Sequence, residues 1–291
     1  MPVTLNQAGR FDERSTKDAT LRTYPHQLAF FDLPLNNAVP RLVRRVKPHG
    51  KRYLQDSLWR ESLLAVKVSL ECQSVAELIT RLRECLPQNS VETRERNTSI
   101  ILSRFFPTME IDQLPRRVLR TYSDEGLLAA VMRVLFLEAE PLVGRLVTER
   151  LFPLPPGTAL ARDFFSSYAE EATGRKDKHL VSRCKTATRA LGWVIEEKRT
   201  SYLAQQVVHE TAALLIFHHY YAPTPRVIDL KLLFAEPAWK YLGFGSENLV
   251  REFIRKLEWR GLVSRYAIVD RLEQVTTRYS LDALIERKVQ V

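Results

Sequence analysis

The chain has 291 residues, of which 45% are hydrophobic and 27% charged. That is the balance of an ordinary globular protein, long enough for two compact domains or three small ones. Its formal net charge of +10 and pI near 9.6 favour a polyanionic partner, either nucleic acid or an anionic membrane surface. No run approaches ~18 apolar residues, which excludes a membrane-spanning helix.

Residues 1–52 read as a polar, proline-punctuated leader without the apolar stretch of a signal peptide. Within it, Arg41, Arg44, Arg45, Lys47, Lys51 and Arg52 follow one another with no acid between them. An arm along DNA phosphates and a solvated tail both fit this run. Tyr24, Phe30, Phe31, Leu33 and Leu35 give part of the leader an apolar surface for its own domain or for a partner.

Residues 53–152 read as a helical domain. Trp59, Leu63, Leu64, Val66 and Leu70 recur at helical spacing. Ser74 followed three residues later by Glu77 is a capping box and starts a second helix. A third runs through VETRERNTSIILSRFF and stops at Pro107. Three short helices fit a helical bundle, and also a helix-turn-helix in which Arg94, Arg96 and Arg104 would face phosphates. LPRRVLRTY, ended by Ser123-Asp124, precedes a run from Glu125 to Phe152 that is apolar on nearly every side. Such a helix belongs at the centre of a domain, and Pro141 is expected to divide it.

Pro153 to Gly157 (PLPPG) is the strongest punctuation in the chain and is taken as a boundary. Residues 158–222 are expected to form a first winged-helix-like unit. It has a helix in ALARDFFSSYAEEAT, then a basic helix that carries Arg183, Lys185 and Arg189 and ends near Gly192, then Trp193-Val194-Ile195 and a charged Glu-Glu-Lys-Arg loop. The helix VVHETAALLIFHHYY follows. Residues 226–291 are expected to form a second unit, with short helices between Asp229 and Tyr241. Ser246 starts a helix whose apolar face is Leu249, Val250, Phe253, Ile254 and Leu257, and Gly261 ends it. Two β-rich runs, Val263 to Val269 and Gln274 to Tyr279, flank a polar loop centred on Leu272-Glu273. Helix, glycine, strand, loop, strand is the order of a winged helix-turn-helix. The predicted fold is therefore mainly α, a helical N-terminal domain plus C-terminal tandem winged-helix or helix-turn-helix-like units with short β-wings.

Motifs for catalysis are missing. His209-Glu210 begins like a zinc-protease signature, but position 213 is alanine. There is no phosphate-cradling Gly-x-x-x-x-Gly-Lys, no Gly-x-Ser-x-Gly elbow and no acidic cluster suited to a two-metal nuclease. Cys72, Cys85 and Cys184 are odd in number and lack metal-ligand spacing, as expected of reduced thiols in a cytoplasmic protein. No catalytic residue, metal or cofactor is expected.

Taken together, the helical first half, Leu-Gly-Trp-Val at the first unit's turn, Phe-Ala-Glu-Pro-Ala-Trp, and the final Ile-Arg-Lys-Leu-Glu-Trp-Arg-Gly-Leu-Val resemble the BrxA family of bacteriophage-exclusion (BREX) defence systems. The resemblance covers about residues 55 to 285. It implies a cytoplasmic, non-enzymatic DNA-binding protein that works with a methyltransferase, an ATPase and a phosphatase-like partner.

The expected partner is double-stranded DNA, with other defence-system proteins beside it and no membrane. The expected contacts are Asn248, Arg251, Arg255 and Lys256 on the last recognition helix, Arg265, Arg271 and Arg278 on its wing, Arg183, Lys185 and Arg189 in the first unit, and Arg44 and Arg45 in the leader. A winged-helix regulator of transcription or replication fits the same pattern. So does a scaffold whose winged helices bind protein.

Overall fold

The computed structural model describes residues 56–270 and 272–291; the basic run of the leader, with Arg44 and Arg45, lies outside them, as does Arg271. The protein is mainly helical, with small antiparallel sheets.

The first half is built from α1 (Trp59–Ser69), α2 (Val75–Cys85), α3 (Val91–Phe105), α4 (Leu114–Tyr122) and α5 (Glu125–Ala139). Local signals set their ends. The Ser74 hydroxyl accepts the Glu77 N–H, and the Glu77 carboxylate reaches back to the Gln73 N–H, so two end donors of α2 are satisfied. Asp124 accepts the N–H groups of Gly126 and Leu127 at the start of α5. Pro141, which cannot donate a helical hydrogen bond, opens α6 (Pro141–Arg145) immediately after α5 ends, and α6 runs into a π-helical turn, Leu146–Leu151.

One charge pair is sealed inside this half. Arg104 of α3 has its side chain 1% exposed and donates to Glu140 at 2.8 Å. It also donates to the carbonyls of Ser57 and Asp56 and stacks on Phe136 at 4.6 Å. Burial disfavours the charge on both Arg104 and Glu140, and each partner opposes that effect on the other. Asp56, fixed by this contact, pairs with Arg96 of α3 and reaches Arg183 in the second half of the chain.

After Gly157 a similar connectivity occurs twice, with two helices before the hairpin in the first round and three in the second. In the first round the segment Thr158–Leu160 is followed by α7 (Phe164–Thr173), α8 (Lys178–Ala190), β1 (Val194–Glu197) and β2 (Thr200–Leu203). Ala159 bridges Tyr202, the Leu160 N–H donates to Ser201, and the Leu203 N–H donates to Thr158. The extended segment therefore lies along the edge of β2 that β1 leaves open.

The second round begins after α9 (Glu210–Tyr221). It runs β3 (Val227–Asp229), α10 (Leu230–Ala235), α11 (Ala238–Tyr241), α12 (Glu247–Trp259), β4 (Val263–Val269) and β5 (Leu272–Thr277). The sheet order is β3-β5-β4, so here too the last strand sits between the first two. α13 (Leu281–Glu286) closes the chain.

The correspondence reaches atomic detail. α8 and α12 each have 13 residues. Each ends on a glycine in the left-handed region, Gly192 at φ 75° and Gly261 at φ 70°. In each the residue after that glycine donates its N–H back into the helix, Trp193 to Thr188 and Leu262 to Leu257, both at 2.9 Å. This is a Schellman ending, which turns the chain sharply into the first hairpin strand.

α9 joins the two rounds. His209 caps it through Nδ1, and Thr211 to His218 are all buried. It packs against α5 on one side and α13 on another. The Tyr122 hydroxyl donates to the carbonyls of Leu284 and Val289, which fastens the chain's end to α4.

One sequence expectation is corrected. The loop expected at Leu272-Glu273 is the start of β5. Val269 already pairs with Leu272, so the chain reverses two residues earlier, with Asp270 at φ 55°. Asp tolerates the left-handed region that a two-residue hairpin demands. The second strand correspondingly ends at Thr277 rather than Tyr279.

Candidate nucleic-acid interface

α12 is set at a fixed angle by its buried face. Val250, Phe253, Ile254 and Leu257 are enclosed, and Phe253 packs against the Phe244 ring at 5.4 Å. The Ser246 hydroxyl caps its N-terminus by accepting the Leu249 N–H. With that face inward, Asn248, Glu252, Arg255 and Trp259 form the outward stripe, at spacings of four, three and four residues.

The four residues expected to share the reading face of α12 separate into two sets. Asn248 and Arg255 lie on the outward stripe. Arg255 is held over the Tyr266 ring of β4 at 5.5 Å. Arg251 and Lys256 lie on the flanks and are engaged within the protein. Arg251 donates twice through Nε to Glu273 of β5, at 2.9 and 3.0 Å, and through its terminal nitrogens to Glu273, Glu247 and Asn248. Its guanidinium also lies 4.7 Å from the Phe234 ring centroid. The Glu273 hydrogen bonds raise the Arg251 pKa, and the same bonds hold the Glu273 carboxyl below its ordinary range. Lys256 pairs with Glu210 at the start of α9. On the hairpin Arg265 is exposed, and exposed Arg278 donates to the Gly261 carbonyl at 3.5 Å.

The bases expected on α8 are similarly committed. Arg183 pairs with Asp56 at 3.1 Å. Lys185 and Arg189 both pair with Glu196 of β1. The Glu196 and Glu273 pairs pin each hairpin against the helix before it, and all of these pairs reduce the charge offered outward.

Other cations present themselves instead. Lys198 and Arg199 form the reversal between β1 and β2, at φ 46° and 72°, and both side chains are exposed. Lys176 and Lys178 stand exposed beside the N-terminus of α8, where Asp177 caps the helix. The sequence signal for the first pair is two consecutive bases between short β-rich runs. Such a pair reads as a solvated loop until the hairpin puts it at a protruding tip.

No helix among the described residues is long and apolar enough to cross a membrane. Comparison of the chain with family models, with curated proteins and with solved structures finds no match in any of the three.

Proposed function

We propose that this chain is a non-enzymatic double-stranded DNA-binding protein built on tandem winged helices. The observation that carries the reading is the repeated connectivity: extended segment, helices (two in the first round, three in the second), glycine ending, hairpin, with the third strand lying between the first two. Such wiring suits a winged helix, in which the last helix before the hairpin enters the major groove and the hairpin touches flanking backbone. α12 and α8 are then the recognition helices. Arg255 and Asn248 face the groove from α12, with Arg265 and Arg278 beside them on the second hairpin. Lys198 and Arg199 at the first hairpin's tip, with Lys176 and Lys178, reach phosphates. Arg251, Lys256, Lys185 and Arg189 hold the hairpins and neighbouring helices in the binding geometry.

A place in a bacterial phage-exclusion assembly is part of the same proposal. It is supported by the resemblance of the sequence to the BrxA family. The other proteins of such a system would supply the chemistry.

The test is binding of the whole protein to labelled duplexes of unrelated sequence across a salt series. With roughly 6–10 phosphate contacts, affinity falls by about 10³–10⁵ between about 50 and 200 mM salt. A flat salt dependence overturns the proposal, as does binding unchanged when Arg255, Lys198 and Arg199 are all reversed to Glu. Tight binding to one site, roughly 10³-fold or more above bulk DNA, would favour a site-specific regulator instead.

A further inference from the structure

Trp259 is the last residue of α12, and it is 86% exposed. The fold has no use for an indole there. The corresponding last residue of α8, which has the same length and the same glycine ending, is Ala190. An indole in open water also forgoes the burial that ordinarily repays so large a ring.

Its surroundings are cationic. Arg260 follows it and donates to the Gln290 carbonyl. Arg278 reaches back to Gly261 at the end of the same helix. Arg278 and Arg287 lie over the Tyr279 ring, at 5.6 and 4.9 Å, and exposed Lys288 comes next in the chain. None of Arg260, Arg278, Arg287 and Lys288 is ion-paired among the described residues. Of the acids close in sequence, Glu258 accepts the Tyr266 N–H and Asp282 pairs with Arg117. The cations expected on the recognition faces are largely neutralised by partners. These four, two of them over Tyr279 and one next to Trp259 in the chain, are not.

Unneutralised cations call for a polyanion, and a bare indole calls for a flat ring to stack on. An intact duplex offers phosphates, but its base faces are covered by their neighbours. A single strand offers both. We propose that the C-terminal end of α12 binds single-stranded DNA, with an unpaired base stacked on Trp259 and the flanking phosphates on Arg260, Arg278 and Arg287. The choice of DNA over RNA rests on the duplex-binding reading. The stripe from Asn248 through Arg255 to Trp259 would then carry one strand from groove to stacking platform.

The experiment titrates the whole protein with a short oligothymidylate, with oligouridylate of the same length, and with a blunt duplex. Tryptophan fluorescence and anisotropy are followed together. Trp193 and Trp239 are buried and Trp59 is partly buried, so the quenching that is lost in Trp259→Ala is the part that reports on Trp259. Oligothymidylate is expected to quench the emission. Trp259→Ala is expected to weaken its binding about tenfold or more, by the usual worth of one stacked base, with far-UV dichroism unchanged. Arg278→Glu with Arg287→Glu should flatten its salt dependence by about 1–2 in slope. Duplex affinity should hold in Trp259→Ala, whereas the triple reversal of Arg255, Lys198 and Arg199 should remove it. Duplex binding without oligothymidylate binding overturns this inference and leaves the duplex proposal standing. Oligothymidylate binding without quenching, or indifferent to Trp259→Ala, overturns it too. Tighter binding of oligouridylate overturns the assignment to DNA. A concentration-dependent dimer broken by Trp259→Ala, with oligonucleotide binding intact, would hand the surface to a second copy of the chain.

Discussion

Arg251 of α12 and Glu273 of β5 grip each other through three hydrogen bonds of 2.9–3.0 Å, 22 residues apart in the chain. The side chains are 24% and 20% exposed, so solvent screens part of the attraction. Arg251→Ala is expected to cost about 1 kcal/mol of stability. Arg251→Glu should cost more, because two carboxylates would then face each other. The double exchange Arg251→Glu with Glu273→Arg should recover most of the loss in a denaturant titration. If the exchange also restores duplex binding, Arg251 acts by holding the hairpin rather than by touching DNA.

Two glycines provide a matched pair of tests. Gly192 has nothing within 4 Å of where a Cβ would stand, and Gly261 has only the Arg278 guanidinium at 3.5 Å. Substitution therefore acts almost purely through the positive φ. Gly192→Ala and Gly261→Ala are each expected to cost about 1 kcal/mol, and the asparagine variants less, read from chemical denaturation.

Arg104 offers a harsher test. Removing it leaves Glu140 with its charge half-sealed and deprives the Ser57 and Asp56 carbonyls of their donor. Arg104→Ala should cost about 3–5 kcal/mol, the usual penalty for breaking a buried pair from one side. Replacing both partners, Arg104→Met with Glu140→Leu, should cost distinctly less. Thermal unfolding of the three proteins would separate the outcomes.

Acid should weaken the fold through His218. Burial pushes its pKa down to about 4, and Nδ1 is engaged with the Leu214 carbonyl. The unfolded chain binds a proton near pH 6.5, where the folded one does not. The stability is thus fully present above about pH 6.5 and is lost as the pH falls toward 4, by an amount on the order of 3 kcal/mol. His219 is depressed to about the same value and adds to the loss. Stability measured at pH 7 and pH 5 should differ less in His218→Asn than in the natural protein. Glu273 acts in a separate window, since its depressed pKa withdraws support only in stronger acid, below the ordinary glutamate range.

Much of the architecture is written locally. Ser74 with Glu77, Pro141, Gly192, Gly261 and the alternation of Val250, Phe253, Ile254 and Leu257 each act within a turn or two. The helices and their ends follow from them. What the sequence conceals is pairing across distance. Val227–Asp229 and Ala159 are too short to show a strand pattern, and they become extended because β5 and β2 offer open edges. Glu273 reads as a loop residue until Arg251 is placed beside it. The candidate interface suffers most from this blindness. A count of bases along α8 and α12 cannot reveal that Asp56, Glu196, Glu210 and Glu273, from other elements, neutralise most of them. Nor can it reveal that Trp259, in a helix otherwise well patterned, ends up in open water.

α9 has a consequence for how the molecule can be divided. A helix enclosed from Thr211 to His218, with α5 on one side and α13 on another, has no side on which water could replace either neighbour without exposing leucine and phenylalanine. Neither half can therefore be released intact. A cut at the proline run should yield two sticky fragments rather than two working pieces, and calorimetry of the whole chain should record a single heat-absorption peak. α8 and α12 would then share one fate on heating, and any DNA binding through one, as proposed, should be lost at the same temperature as binding through the other.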